Sequence, residues 1–585
     1  MAHMLDLKIA GGTIIDGSGA PGRIGDLGIR DGRIVALGKV DEAARETIDA
    51  TGKVVAPGFV DSHTHYDAQV FWDPTLSPSC YHGVTTVVGG FCGFSIAPLT
   101  PEAAPYLQRM LSRVEGMPLK TLETAVPWNW RSFGEFLAAI DGKTGLNCGF
   151  FAGHSAIRRS VMGARAVGED ATPADIEAMN ALLDASLSEG ALGLSTTISP
   201  THNDMEGQPV PSRWASREEH LELARVVSRH EGTGLEMLPN LDFPEGTSEL
   251  MADYSLAGQR AVNWNILMLN GKADAWEVAS RQLAVSDLAR SRGGEVIALV
   301  APVTPGVFKS LHNGVTFDAF PGLWRELFKQ PVAERIETLR DPAVRRQLAE
   351  DVASMPETAA LKTMSRFEGH LVVSTKCAAN QRLEGRRVGE IAAEQGKTPL
   401  DALLDIAIAD DLETIFQPDL GGEDAASWDQ RRRLYADDRT LLGASDAGAH
   451  LDILDSFAFS TTILSRAVRE KGIMPLEQAV HELTGRPARY FGLIDRGTLC
   501  EGAHADVVVF DPATVGRGPT YRRFDVPGGE EYRLYAEAVG IDHVLVNGVE
   551  VVRNGEHTGA LPGTVLRSGR DTKTMAIDAL QAKAA

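Results

Sequence analysis

Cysteine and basic charge are scarce in this chain, and long apolar runs are missing altogether. The five cysteines (Cys80, Cys92, Cys148, Cys377, Cys500) among 585 residues form no paired framework. That excludes a disulfide-built secreted scaffold and suits a reducing compartment. No stretch reaches the roughly 18 consecutive apolar residues of a membrane-spanning helix, and Met1–Asp6 lacks the charged and apolar regions of a signal peptide. These absences predict a cytoplasmic protein. Lys and Arg total 57 against 79 Asp and Glu, a formal charge of 57 − 79 = −22, which argues against nucleic acid or an anionic membrane as partner. No internal repeat or low-complexity segment interrupts the chain, which is long enough for a large core with accessory domains.

Short strand and turn signals fill the first segment. Leu7–Ala10 precedes Gly11-Gly12, Thr13–Asp16 runs into Gly17, and Gly25–Ala36 alternates strand and turn residues. Such strands need partners, and Asp506–Asp511 and His543–Val552 at the other end supply them. The termini therefore predict one small discontinuous β-sandwich, residues 1–57 plus 498–585. Between them strand-like runs (Thr85–Val88, Leu192–Ser195, Glu295–Val300, Leu441–Ala444) alternate with helical ones such as Pro173–Leu183, for which Thr172 is a cap. Repeated β-then-α order predicts a parallel α/β architecture over 58–497, with chemistry at the C-terminal ends of the strands if it closes as a (β/α)8 TIM-like barrel. The helix-rich stretch 306–422 is long for a loop and reads as an insertion or lid.

At the end of one short apolar run stand His63 and His65. Alternate residues of an extended strand share a face, so the two imidazoles project together from one strand end and supply half of a metal site. The run Pro57-Gly58-Phe59-Val60-Asp61-Ser62-His63-Thr64-His65-Tyr66-Asp67 resembles the first-strand metal motif of the amidohydrolase superfamily. Gly83–Gly93 is similar to the second-strand segment of its N-acyl-D-amino-acid deacylase (D-aminoacylase) branch, Leu441–Asp446 to the final-strand aspartate, and Thr484–Ala488 and Gly497–Asp506 to the return into the small sheet domain. The resemblance spans nearly the whole chain. It implies the TIM-like barrel with its composite sheet domain, His63, His65, Cys92 and Asp446 as metal ligands, and zinc as the ion. It further implies cleavage of a C–N amide bond by a metal-activated water, with Asp446 as general base.

The chain also departs from that branch. D-aminoacylases place a histidine on each of the fifth and sixth strands, whereas the corresponding segments, Gly234–Asn240 and Val262–Met268, hold none. One zinc is expected, and a second only if Glu236, Asn240 or Asn265 stands in. The lysine and arginine that bind substrate carboxylate in the family are missing too. Three further histidines, His154, His202 and His450, lie just past strand-like runs and read as hydrogen-bond donors to substrate or transition state, with His450 beside Asp446 assigned to the oxyanion and Glu236 added to the substrate contacts. Arg158 and Arg159 read as solvated surface residues, with anion contact as the alternative, and His481 as an ordinary helix residue. The expected partner is a small-molecule amide, and the resemblance allows a homo-oligomer. Two alternatives stay open: a hydrolase of a cyclic amide, carbamate or xenobiotic amide without a carboxylate anchor, or a non-catalytic relative.

Overall fold

The computed structural model describes residues 4–581 apart from 270–273, 302–305, 313–316, 357–359 and 530. Eight parallel strand segments carry the central part of the chain: β1 (Phe59–Asp61), β2 (Val84–Gly89), β3 (Asn147–Phe150, continued by Ala152–Gly153), β4 (Gly193–Thr197), β5 (Gly234–Leu238), β6 (Val262–Leu267), β7 (Val296–Val300) and β8 (Thr440–Leu442). Each pairs with the next in the chain, and helices lie between most of them. The strands are almost wholly buried on both faces, as parallel sheets covered by helices require. Just past the strand ends, Thr64 bridges Ala447 in parallel register, and the amide of Asp446 donates to the carbonyl of His63 at 3.1 Å. Gly443 is the residue this approach requires, because a Cβ there would sit 1.9 Å from Ser62 Oγ.

Local signals set the helices. Pro173–Ser188 begins at Thr172, whose hydroxyl accepts the Asp175 amide while Asp175 accepts the Thr172 amide, the reciprocal box that satisfies two otherwise orphaned donors. A nine-stranded sheet joins the termini, with Leu5–Ile14, Arg23–Arg30, Arg33–Gly38, Ala44–Asp49 and Val54–Pro57 from the start, and Val507–Phe510, Ile541–Val546, Val549–Arg553 and Glu556–His557 from the end. Gly11-Gly12, where the sequence suggests a break, instead lies inside the single strand Leu5–Ile14. Its register against Arg23–Arg30 shifts there, with Gly11 at φ +71°, so the glycines make a bulge rather than a turn. The rest of the C-terminal part leaves this sheet. Tyr521–Arg523 pairs with Arg533–Tyr535, and the last residues run back beneath the strand array, where Thr564 O accepts the Cys148 amide.

Between β7 and β8, the described residues from Leu311 to Phe416 are mostly helical and pack around an apolar cluster of their own, including Phe317, Phe320, Trp324, Leu403 and Phe416. One strand pair, Leu371–Ser374 with Ile415–Gln417, completes it. No helix among the described residues is long and apolar enough to cross a membrane.

Inside that cluster lies Lys309, 1% exposed. Its Nζ donates to Met364 O at 3.0 Å and sits 4.2 Å from the centroid of Phe317, with no carboxylate partner among the described residues. Burial pulls its ammonium down to about 7, whereas an unfolded lysine titrates near about 10.4. Between those values the unfolded chain holds more protons than the folded one, so stability rises with pH across that window. Urea denaturation monitored from about pH 7 to 10 should show this slope, and Lys309→Met should remove it while stabilising the insertion by about 1–3 kcal/mol. A destabilised, still pH-sensitive variant would contradict this reading.

Candidate metal centre

The segments that follow β1, β2 and β8 bring the donors together. His63 and His65 follow β1 and are buried. The His63 ring stacks on Phe91, centroids 4.6 Å apart, which fixes its plane. Cys92 follows β2 in a loop that folds tightly onto β3 and β4. Gly90 and Gly93 both have positive φ, and a Cβ on Gly90 would meet Phe151 O at 2.3 Å. Ser195 Oγ clamps the same loop, accepting the Gly93 amide at 3.1 Å and donating to Gly90 O at 2.6 Å. Asp446 follows β8. Cys92, Asp446 and His450 all hold left-handed φ, at +57°, +52° and +47°. Each such non-glycine conformation costs about 1–3 kcal/mol and persists where surrounding structure dictates it, often at functional sites.

His63, His65 and Cys92 form a group that could hold a metal ion, and Asp446 stands beside it. His63 Nε2 lies 3.2 Å from Asp446 Oδ1 and 3.7 Å from Cys92 Sγ. His65 Nε2 lies 3.8 Å from Asp446 Oδ1, and one donor atom each from His63, His65 and Cys92 fall within 4.8 Å of one another. Bonds of about 2.0–2.3 Å to a tetrahedral zinc imply donor–donor edges of about 3.3–3.7 Å, close to those observed. The chemistry agrees, since two imidazoles, a thiol and a carboxylate suit a borderline-soft dication. Apart from a remote contact of His65 noted below, the other nitrogens, Nδ1 of His63 and of His65, are buried with no hydrogen-bond partner.

Burial opposes charge on the Asp446 carboxyl. The His63 hydrogen bond and the charges of His63, His65 and His450 outweigh it and hold the group below the usual carboxylate range. A quarter of the Asp446 side chain remains exposed (26%), and it opens onto a cavity of about 1040 Å³ between the insertion and the C-terminal segment. Burial, followed by the charges of Glu236, Glu115 and Asp446, lifts the Cys92 thiol well above its ordinary value. A coordinating metal reverses that balance by deprotonating the thiol outright.

The other residues singled out in the sequence divide. His450 is at the centre, near Asp446 and with its amide donating to Glu115 O; burial lowers its imidazole below the ordinary value. His202 packs on Phe94, and burial, with the charges of His450 and Arg213, lowers it to about 3. Glu236 on β5 is fully buried and its Oε2 accepts the Cys92 amide at 3.1 Å. His154 is not brought to the cluster. Its Nδ1 meets Thr196 Oγ1 on β4 and its Nε2 meets Glu219 on the following helix, both at 2.9 Å, so both nitrogens are committed away from the metal ligands. Arg158 is also not a surface residue: it is fully buried and donates to the same Glu219 oxygen. Arg159 is half-buried over the Tyr106 ring, and His481 Nδ1 meets Gly17 O at 2.7 Å on its helix.

Glu115, which sequence reasoning missed, lies behind the site. It is 2% exposed, with one carboxylate oxygen 3.7 Å from His65 Nδ1 and the other 3.9 Å from His450 Nε2. Burial, then the charges of Asp446, Asp67 and Glu236, raises it well above the carboxylate range. It follows the last turn of the helix Ala104–Val114, where the helix dipole disfavours an acid. That misplaced charge is the one signal in the sequence that could have marked it.

The amidohydrolase family model matches residues 46–552. A D-aminoacylase from Alcaligenes xylosoxydans xylosoxydans is 30% identical over 569 residues, covering 96% of this chain and 97% of that protein. A solved D-aminoacylase, with a binuclear metal centre showing one-metal activation and second-metal attenuation, superposes with a TM-score of 0.64 at 28% identity, covering 96% of this chain and all (100%) of that one. The N-acyl-D-glutamate deacylase of Bordetella bronchiseptica, solved with zinc and a phosphonate mimic of the tetrahedral intermediate, gives 0.62 at 29% identity over 97% and 100% of the two chains. A family match over most of the sequence and relatives aligned end to end establish that this chain belongs to the amidohydrolase family, in its D-aminoacylase branch.

Proposed function

We propose that this amidohydrolase is a zinc enzyme that removes the acyl group from small N-acyl amino acids, in the manner of the N-acyl-D-amino-acid deacylases. The observation that carries the proposal is the convergence of His63, His65 and Cys92, with donor atoms within 4.8 Å of one another, and the placing of Asp446 against both imidazoles at 3.2 and 3.8 Å. The same reading takes β1–β8 as a closed (β/α)8 barrel, supported by the Thr64–Ala447 bridge, with the terminal sheet as a second domain.

His63, His65, Cys92 and Asp446 would hold the ion, which when bound supplies Lewis acidity toward the scissile carbonyl and acidifies water. Asp446, ionised and open to the cavity, accepts a proton from the attacking water and returns it to the leaving nitrogen, so that one carboxylate serves as base and then acid. His450 and His202 stand beside Asp446 and present a ring N–H to the developing oxyanion. Glu115 lies 3.7 Å from the remote nitrogen of His65, the position from which a carboxylate orients a metal-binding imidazole once the two close to hydrogen-bond distance.

Arg213 is the candidate anchor for a substrate carboxylate. Of the guanidiniums that line the cavity, Arg387 pairs with Asp419 at 3.2 Å, Arg517 with Asp455 at 2.6 Å and Arg466 with Glu470 at 3.0 Å, while Arg469 donates to the Val515 carbonyl. Arg213 stands outside that lining, next to His202 and thus on the side of the histidine cluster. Arg213, half-buried beside His202, has no acidic partner among the described residues. It donates only to neutral oxygens, His202 O at 3.0 Å and Asn203 Oδ1 at 2.8 Å. A planar guanidinium with spare donors suits bidentate capture of a carboxylate.

Two outcomes test the reading. Asp446→Asn should lower kcat by about 10²–10⁴-fold with the fold intact by circular dichroism; near-wild-type turnover would refute the base assignment. N-acyl-D-amino acids should be cleaved in preference to their neutral amide analogues, and Arg213→Met should raise KM about tenfold or more with little change in kcat, the pattern of lost ground-state binding. Cleavage of neutral amides alone would favour a hydrolase without a carboxylate anchor.

A further inference from the structure

The fifth and sixth strands carry Glu236 and Asn265 where the D-aminoacylase pattern leads one to expect histidines. Both are turned toward Cys92. Asn265 Nδ2 donates to Cys92 Sγ at 3.2 Å, and Glu236 Oε2 accepts the Cys92 backbone amide at 3.1 Å. Glu236 is also in register with Asn263 on the neighbouring strand, so the three side chains share the barrel interior. The polar atoms left there without partners are the oxygens Glu236 Oε1, Asn263 Oδ1 and Asn265 Oδ1 and the amide nitrogen Asn263 Nδ2. None is a basic nitrogen. A second zinc at this place would need a free face on the sulfur and about three further good donors; Glu236 offers one carboxylate, and the amides of Asn263 and Asn265 are poor substitutes for imidazole. The sulfur's second face is instead occupied by an amide N–H.

We infer that this chain holds one zinc, on the His63–His65–Cys92–Asp446 side, and that Asn265, braced by Glu236, takes the place of a second metal as the partner of the Cys92 sulfur. An N–H donor stabilises thiolate charge, which is what a second cation would otherwise do, and it leaves the sulfur directed at a single ion. The inference rests on the zinc reading above.

Metal counting by mass spectrometry separates the two claims. Wild-type protein reconstituted with excess zinc and passed over chelating resin should retain one zinc per chain. Two would overturn this inference and leave the zinc reading standing; none would overturn both. The double variant Glu236→His/Asn265→His should gain a second zinc, and a folded double variant still holding one would overturn the assignment of those two positions. Asn265→Leu in the cobalt-substituted protein gives a readout that does not depend on the double variant folding. Removing the N–H should move the sulfur-to-cobalt charge-transfer band to lower energy, and an unmoved band would overturn the role given to Asn265.

Discussion

His63 and Asp446 meet twice, once through the backbone, where the Asp446 amide reaches the His63 carbonyl at 3.1 Å, and once through the side chains at 3.2 Å. The first and last strands of the array are tied at this point, so the geometry of the metal centre and the juxtaposition of strands far apart in sequence form a single constraint. Gly443 permits the approach, the left-handed backbone at Asp446 aims the carboxylate, and the Thr64–Ala447 bridge holds the register beside it. Low-propensity backbone at several adjacent positions is tolerated because the packed strands leave no alternative path.

Around that contact the site is asymmetric. Imidazoles, sulfur and a carboxylate face one another on the β1, β2 and β8 side. On the β5 and β6 side stand a carboxylate and two amides; Glu236 and Asn265 direct their hydrogen bonds at Cys92, and the Asn263 amide has no partner among the described residues. Access runs past Asp446 into a cavity walled by the insertion and by the C-terminal segment near Arg517. The insertion has an apolar cluster of its own, so it forms a wall with independent packing rather than a loop draped over the strands.

Much of this was legible in the sequence because short-range patterns encode it. The spacing of His63 and His65 at a strand exit marks them, although the strand itself ends at Asp61; glycines flank Cys92 for a tight loop, and an apolar strand precedes Asp446. What failed to read out depends on which way a side chain turns after its strand ends. His154 leaves β3 in the same manner that Cys92 leaves β2, yet it starts a helix and turns to Glu219 instead of the metal cluster. Arg158 looks like a surface residue until Glu219 and the carbonyls of Ala166 and Glu169 are seen to bury it. Glu115 belongs to no periodic pattern. It reaches His65 only because the helix before it ends against the segment that carries His450. The Gly11-Gly12 pair has the composition of a turn, and only pairing on both sides of Leu5–Ile14 makes it a bulge.

The most direct test of the account is X-ray absorption at the zinc edge of the wild-type enzyme, with Cys92→Ser measured beside it. The account predicts one sulfur at about 2.3 Å and about three nitrogen or oxygen neighbours at 2.0–2.2 Å, with the sulfur shell lost in the variant. A first shell of nitrogen and oxygen alone in the wild type would contradict it, because Cys92 would then not bind the ion that the whole arrangement of β1, β2 and β8 is built to hold.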